Sequence, residues 1–227
     1  QASTHLPDLD RPVVVVCEAG VRSLLAAETL LSLGYRDVRS LAGGMAAWRE
    51  AGGETQRSAT LRPEQHQRYQ RHLSLPEVGE VGQRRLLDAR VLCVGAGGLG
   101  SPCALYLAAA GVGTLGIADP DDVEASNLQR QVLHSTERIG VSKVASAELT
   151  LRALNPDVDV VTHHVRVGED NVDEVADGYE VIVDGSDNFE TRDVLNRYAR
   201  RAGVPVVHAS IHRFEGHITS FVPRGPC

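Results

Sequence analysis

The stretch VLCVGAGGLGSP, residues 91–102, decides the fold. Its opening run, Val91 through Val94, is apolar and reads as a buried strand. Gly95, Gly97, Gly98 and Gly100 follow, and Ser101 and Pro102 fit the N-cap and first turn of a helix continuing as ALYLAAAGV. Strand, glycine turn and helix together give the G-x-G-x-x-G pattern a physical meaning. Glycines let the backbone turn tightly and approach a ligand closely. The helix N-terminus then offers unpaired N–H groups and a partial positive charge to a phosphate.

Downstream, TLGIAD at 114–119 reads as a second strand ending in an acid. Asp119 lies about 20 residues beyond the glycine turn, where such an acid can accept hydrogen bonds from a ribose. Turn and acid mark a Rossmann-like nucleotide site without saying which nucleotide. The next stretch, DPDDVEASNLQRQVLH, places Asp121, Asn127, Gln129, Arg130 and Gln131 in a loop. GVSKVASAELTLRALNP then sets Lys143 at the start of a helix ending near Asn155 and Pro156. Dinucleotide dehydrogenases have no general need for an Arg and a Lys here. A triphosphate does, because it is multiply charged and its leaving pyrophosphate gains charge in the transition state. Arg130 and Lys143 suit that work.

Residues 158–165, VDVVTHHV, read as a third strand in which His163 and His164 are ordinary strand residues. A short helix over 170–176 and a strand YEVIV over 179–183 follow. Asp184, Asp187, Asn188 and Arg192 then cluster at that strand's C-terminal end, where open parallel sheets bind ligands. A carboxylate there can hold Mg2+ against phosphates. A helix through Tyr198 and strands PVVHASI and HITSFVP close the pattern. The fold class expected is α/β: a Rossmann-like, open, mostly parallel sheet with helices on both faces.

Upstream, RPVVVVC at 11–17 is a strand signal, LLAAETLLSLG is helical with Gly34 at its end, and a short strand over 37–41 leads into AGGMAAWREAGG. Cys17 ends the strand and opens a loop holding Gly20, Arg22 and Ser23. Backbone N–H groups in such a loop can ring a sulfur and stabilise a thiolate. Residues 50–70 lose apolar periodicity and read as a linker, with a boundary near Arg57. Two domains are expected, 1–57 and 58–227. Beyond the linker, Arg68 and Arg71 stand three apart, on one face if helical.

Two resemblances sharpen this reading. CEAGVRS resembles the active-site loop of the rhodanese sulfurtransferases, C-x-x-G-x-R-S/T, and LAGGMAAW, with Trp48, looks like that family's closing segment. The likeness covers only the second half of a rhodanese module and implies that Cys17 carries a persulfide. GAGGLG, Asp119, SNLQRQ, SK and GSDN, in this order and spacing, resemble the ThiF/MoeB adenylyltransferases, relatives of the ubiquitin-activating enzymes. RYQRH looks like that family's entry segment.

The second resemblance implies ATP bound across the glycine turn formed by Gly95, Gly97, Gly98 and Gly100. Gly98 would lie against the phosphates and Asp119 on the ribose. Asn127, Arg130 and Lys143 would bind the phosphates, and Asp187 would act through Mg2+ with Asn188 beside it. Arg71 would reach in from the second subunit of a homodimer. The substrate implied is the C-terminal glycine of a ubiquitin-fold sulfur-carrier protein, adenylylated and then supplied with sulfur. The family continues past Cys227 with cysteine pairs for zinc. A single cysteine cannot close a tetrahedral site, so zinc is expected only in a longer chain.

Composition bounds the rest. The chain has 227 residues, 42% of them hydrophobic, and a formal net charge of -7. An acidic balance argues against a general nucleic-acid binder. No apolar run is long enough to cross a bilayer, and Cys17, Cys93, Cys103 and Cys227 are too dispersed for a disulfide framework. A cytoplasmic, reduced setting is the expectation. Two alternatives stay open at this point. An NAD-dependent oxidoreductase would share the glycine turn and Asp119 but leave SNLQRQ and Lys143 unexplained. A truncated module would hold nucleotide without turning it over.

Overall fold

The computed structural model describes residues 8–17, 19–52, 61–223 and 225. The chain divides into two compact units, Gln1–Thr60 and Leu61–Cys227. Among the described residues no helix is long and apolar enough to cross a membrane.

In the first unit, strand β1 (Val13–Val15) pairs in parallel with β2 (Val38–Ser40). Helix α1 (Val21–Ser32) connects them, and α2 (Gly44–Glu50) follows. The valine run forms a shorter strand than its composition suggests. Val14 and Val16 are exposed, while Ser23, Ala27 and Tyr35 are buried. The inner layer is therefore one small polar-and-apolar seam.

The second unit begins where the sequence still reads as linker. Pro63–Arg68 is a helix, α3, with proline in its first turn, and Gln70–Leu73 is a short α4. Polar composition hides α3, but Leu61 and Tyr69 on either side of it are buried. Tyr69 is held by Asn155, whose Nδ2 donates to the Tyr69 hydroxyl at 2.8 Å and to the Ala108 carbonyl at 2.7 Å.

Helix α5 (Gly79–Asp88) leads into β3 (Arg90–Val94), α6 (Gly100–Ala110) and β4 (Thr114–Ala118). After a long loop come α7 (Lys143–Leu154), β5 (Asp159–His163), α8 (Val172–Val175), β6 (Val181–Asp184), α9 (Phe189–Ala202), β7 (Val206–His212) and β8 (Glu215–Phe221). The sheet has six strands in the order β5-β4-β3-β6-β7-β8. All neighbours are parallel except β7 and β8.

The period-2 alternation of β3 serves both faces of this sheet. Val91 and Cys93 pack with Ala104, Ala108, Val144 and Leu151 of α6 and α7. Leu92 and Val94 pack with Val175, Val194, Leu195 and Tyr198 of α8 and α9. Burial on both sides explains why the strand reads as an unbroken apolar run. The fold expected from the sequence is the one observed: α/β, mostly parallel, covered on both faces.

Strand order reverses between β3 and β6. The chain leaves β3 toward β4 on one side and leaves β6 toward β7 on the other. The loops after these two strands diverge and open a crevice at their C-terminal ends.

Candidate functional site

That crevice is a cleft of about 490 Å³, lined by Gly95, Gly97, Gly98 and Leu99 after β3 and by Gly185, Ser186, Asp187 and Asn188 after β6. Its size suits a nucleotide-sized ligand. Asp119, Asp121, Arg130, Gln131, Lys143, Arg166 and Arg192 complete the polar wall.

Two glycines make the turn possible. Gly95 has φ 94°, and a Cβ on it would lie 2.9 Å from the Gly185 carbonyl oxygen. A Cβ on Gly100 would lie 1.7 Å from the Gly95 oxygen, which forbids any side chain. Helix α6 starts at Gly100 and not at Ser101. Ser101 is therefore no N-cap; its hydroxyl donates back to the Ala96 carbonyl at 2.9 Å. The N–H groups of Gly97, Gly98 and Leu99 have no acceptor among the described residues. Three unpaired donors ahead of a helix are what an anion needs.

Asp119 follows β4 and is buried. One carboxylate oxygen accepts from Ala96 N–H at 2.8 Å and the other from Asp121 N–H at 2.9 Å. The acid expected on a ribose therefore also anchors the glycine turn, and each oxygen keeps a further acceptor position.

The two cations expected at the phosphates differ. Among the described residues Arg130 donates to neutral acceptors: Ser126 O, Gln129 Oε1 and Asn127 Oδ1. Among the described residues its charge meets no carboxylate, and its side chain packs 3.3 Å from where a Gly98 Cβ would stand. Lys143 is buried at the first position of α7 and already paired. Its Nζ lies 2.8 Å from Asp121 Oδ2 and 3.8 Å from Asp119 Oδ1. Asn127 does not line the cleft. Its Oδ1 accepts from both Arg130 Nη2 and Gln131 Nε2 at 3.3 Å, so it holds the residues that do.

On the β6 side Asp184 and Asp187 separate in role. Asp184 is buried and accepts from Ser186 N–H, the Ser186 hydroxyl and His208 Nδ1. Asp187 is exposed at the cleft and has no ion pair or hydrogen bond among the described residues. Among those residues no three His, Cys, Asp or Glu side chains gather into a metal site. One free carboxylate still fits Mg2+, which binds through one or two carboxylates plus substrate phosphates. Asn188 caps α9, its Oδ1 accepting from Thr191 N–H at 2.9 Å, while lining the cleft.

In the first unit the Cys17 sulfur accepts from Gly20 N–H at 3.1 Å and Ser23 N–H at 3.3 Å. The Ser23 hydroxyl is 3.4 Å away. These bonds, Ser23's hydroxyl first, lower the thiol from 9.0 to about 7 against the opposing effect of desolvation.

Of the remaining residues singled out in the sequence, Arg71 lies exposed on α4 outside the cleft lining. Cys227 lies outside the described residues. Sequence reasoning placed Gln131 and Arg192 near the site without giving them roles. Both line the cleft, and Gln131 Oε1 and Arg192 Nε are buried with no hydrogen-bond partner among the described residues. Orphaned polar atoms beside a cleft are groups that a ligand can satisfy. Their motif neighbours, SNLQRQ and DNFETR, were the available signal.

Residues 69–227 match the ThiF family model. The chain belongs to the ThiF family. Residues 1–51 match the rhodanese-like domain. The ThiF-family relatives include the SAMP-activating enzyme E1 of Haloferax volcanii, 54% identical over 160 residues that make up 70% of this chain and 59% of that protein. The probable adenylyltransferase/sulfurtransferase MoeZ of Mycobacterium tuberculosis is 48% identical over 169 residues, 74% of this chain and 43% of that protein. The present chain thus spans less than two thirds of either relative's length. Among solved ThiF-like structures, the E. coli tRNA N6-threonylcarbamoyladenosine dehydratase TcdA in complex with ATP superposes with TM-score 0.62 at 30% identity, over 66% of this chain and 61% of that one.

Proposed function

We propose that this chain is the nucleotide-activating part of an ATP-dependent adenylyltransferase acting on the C-terminal glycine of a ubiquitin-fold sulfur-carrier protein, coupled to sulfur transfer through Cys17. One observation carries the reading: the uncompensated Arg130 cation shares a cleft with the three unpaired N–H groups of the glycine turn. Such an arrangement suits a polyphosphate, and the family match favours adenylylation over hydride transfer.

The carrier carboxylate is ionised at pH 7, so the reaction needs no general base. Its oxygen attacks the α-phosphorus of ATP, the bond to the bridging oxygen breaks, and pyrophosphate leaves with the negative charge. This chain's contribution is positioning and charge stabilisation. Gly97, Gly98 and Leu99 would donate to phosphate oxygens and Asp119 would orient the ribose. Arg130 would stabilise the departing pyrophosphate. Lys143 would do the same on exchanging Asp121 for phosphate. Asp187 would hold Mg2+, which neutralises phosphate charge when bound. A persulfide on Cys17, its outer sulfur supplied by a sulfane-sulfur donor, would then attack the acyl carbon with that sulfur, forming an acyl disulfide as AMP leaves. Arg71 of a second copy would add a further cation in a homodimer, and the setting would be cytoplasmic.

Carrier-dependent ATP–pyrophosphate exchange tests this. Removing one preorganised donor to developing charge costs about 10²–10³-fold, so Arg130→Ala is expected to lose exchange by about that factor. Exchange that survives Arg130→Ala undiminished would show the reading to be wrong.

A further inference from the structure

The glycine turn contains one residue with a side chain before the glycine pair, Ala96, and its peptide groups are pinned on every side. The N–H donates to Asp119 Oδ2 at 2.8 Å. The carbonyl accepts from the Ser101 hydroxyl at 2.9 Å and stands 3.0 Å from His134 Nε2. His134 lies beyond the SNLQRQ segment, is buried, and makes its other contact to Ser146 Oγ of α7 through Nδ1 at 2.9 Å.

The partners fix the imidazole's tautomer. A carbonyl can only accept, so Nε2 carries the proton. Nδ1 then accepts from the Ser146 hydroxyl. Burial lowers the His134 pKa, Lys143 and Arg138 lower it further, and the Ala96 carbonyl and Asp119 oppose them. The ring is therefore neutral near pH 7 and presents a single directed donor.

We infer that His134 is a positioning residue for the nucleotide: through its bond to the Ala96 carbonyl it holds the glycine turn so that the Gly97, Gly98 and Leu99 N–H groups stay presented to the cleft. It does not line the cleft itself and acts through the backbone. Three elements meet at this one residue: β4 through Asp119 just after it, α6 through Ser101, and α7 through Ser146 by way of His134. The inference rests on the nucleotide reading above for its link to ATP, but its mechanical part does not.

Two conservative variants separate the ring's two contacts. The amide nitrogen of glutamine matches the reach of Nε2, whereas that of asparagine matches Nδ1. His134→Gln can keep the bond to Ala96; His134→Asn can reach only toward Ser146. Hydrogen–deuterium exchange on the nucleotide-free chain reads the turn directly, at the protected amides of Gly95, Ala96 and Ser101. Losing one such bond is expected to speed their exchange about ten-fold in His134→Asn and to weaken MgATP binding about ten-fold, with His134→Gln within about three-fold of wild type in both. Both variants lose the same ring packing, so their melting temperatures should fall alike. Equal exchange in the two variants overturns the inference. So does faster exchange with unchanged MgATP affinity. The exchange measurement uses no nucleotide, so failure of the adenylyltransferase reading would not be mistaken for failure of this one.

Discussion

The two units carry the same local device with opposite outcomes. Each sets a strand, a glycine-containing loop and a helix in succession, and each gathers backbone N–H groups at the loop. In the first unit those donors meet a side chain of the protein itself, the Cys17 sulfur, which accepts from Gly20 and Ser23. In the second unit the donors of Gly97, Gly98 and Leu99 meet nothing among the described residues. One loop lowers the pKa of a thiol the chain carries; on the proposed function, the other takes its anion from a ligand. A glycine-rich loop thus supplies the electrostatics, and whether a nucleophile or a cleft sits within reach decides its use.

The glycine turn of the second unit is lost most completely where a side chain would collide with its backbone. Gly100→Ala places a Cβ against backbone 1.7 Å away. It should destabilise the second unit by about 3 kcal/mol, the upper end for overpacking, as read by urea denaturation. Gly97→Ala is its contrast. That Cβ meets only Gln131 Nε2, at 3.7 Å, and Gly97 does not adopt positive φ. Stability should stay within about 0.5 kcal/mol of wild type. If both variants unfold alike, the turn has no division between glycines for folding and glycines for ligand.

The Cys17 loop offers a milder change. With the thiol at about 7, alkylation should rise between pH 6 and 8 and level off above. Ser23→Ala removes the largest cause of the lowering but leaves the Ser23 and Gly20 N–H bonds. Alkylation at pH 7 should fall several-fold, short of the roughly 50-fold that a full return to 9.0 would bring. The folded thiol is the stronger acid, so its contribution is complete above 9.0 and is lost as pH falls through about 7. An alkylation midpoint unchanged by Ser23→Ala would leave the backbone as the sole cradle.

How much of this was legible in the sequence depended on what each residue needs. The glycine turn, Asp119 and Lys143 could be placed because backbone geometry and fixed spacing constrain them. Helix α3 was hidden because PEQHQR has no apolar stripe; its anchors, Leu61 and Tyr69, flank it. Ser101 looked like a cap because its position fits one, but its hydroxyl was taken by the Ala96 carbonyl. Asn127 and Arg130 read as equals, and only tertiary placement shows Asn127 behind and Arg130 in front. His134 acts through Ala96 and Ser146, distant in sequence, which no local pattern encodes, whereas Gln131 and Arg192 stand inside motifs but their orphaned atoms show only once the cleft is built.

The smallest effect concerns Asn188, where a helix cap and a place on the cleft wall share one side chain. Its Oδ1 caps α9, and its place on the cleft wall also suits a nucleotide contact. A cap lost to alanine costs about 1 kcal/mol, so Asn188→Ala should lower stability by that amount. Asn188→Ser keeps a capping oxygen and should restore it. The two roles then part in MgATP titrations. If Asn188 serves only the helix, the serine variant binds as wild type does. If its amide also meets nucleotide, serine restores the fold and leaves affinity reduced about three- to ten-fold, since an amide donor has gone. The second outcome is expected, because the side-chain Nδ2 has no acceptor among the described residues while its Oδ1 is engaged.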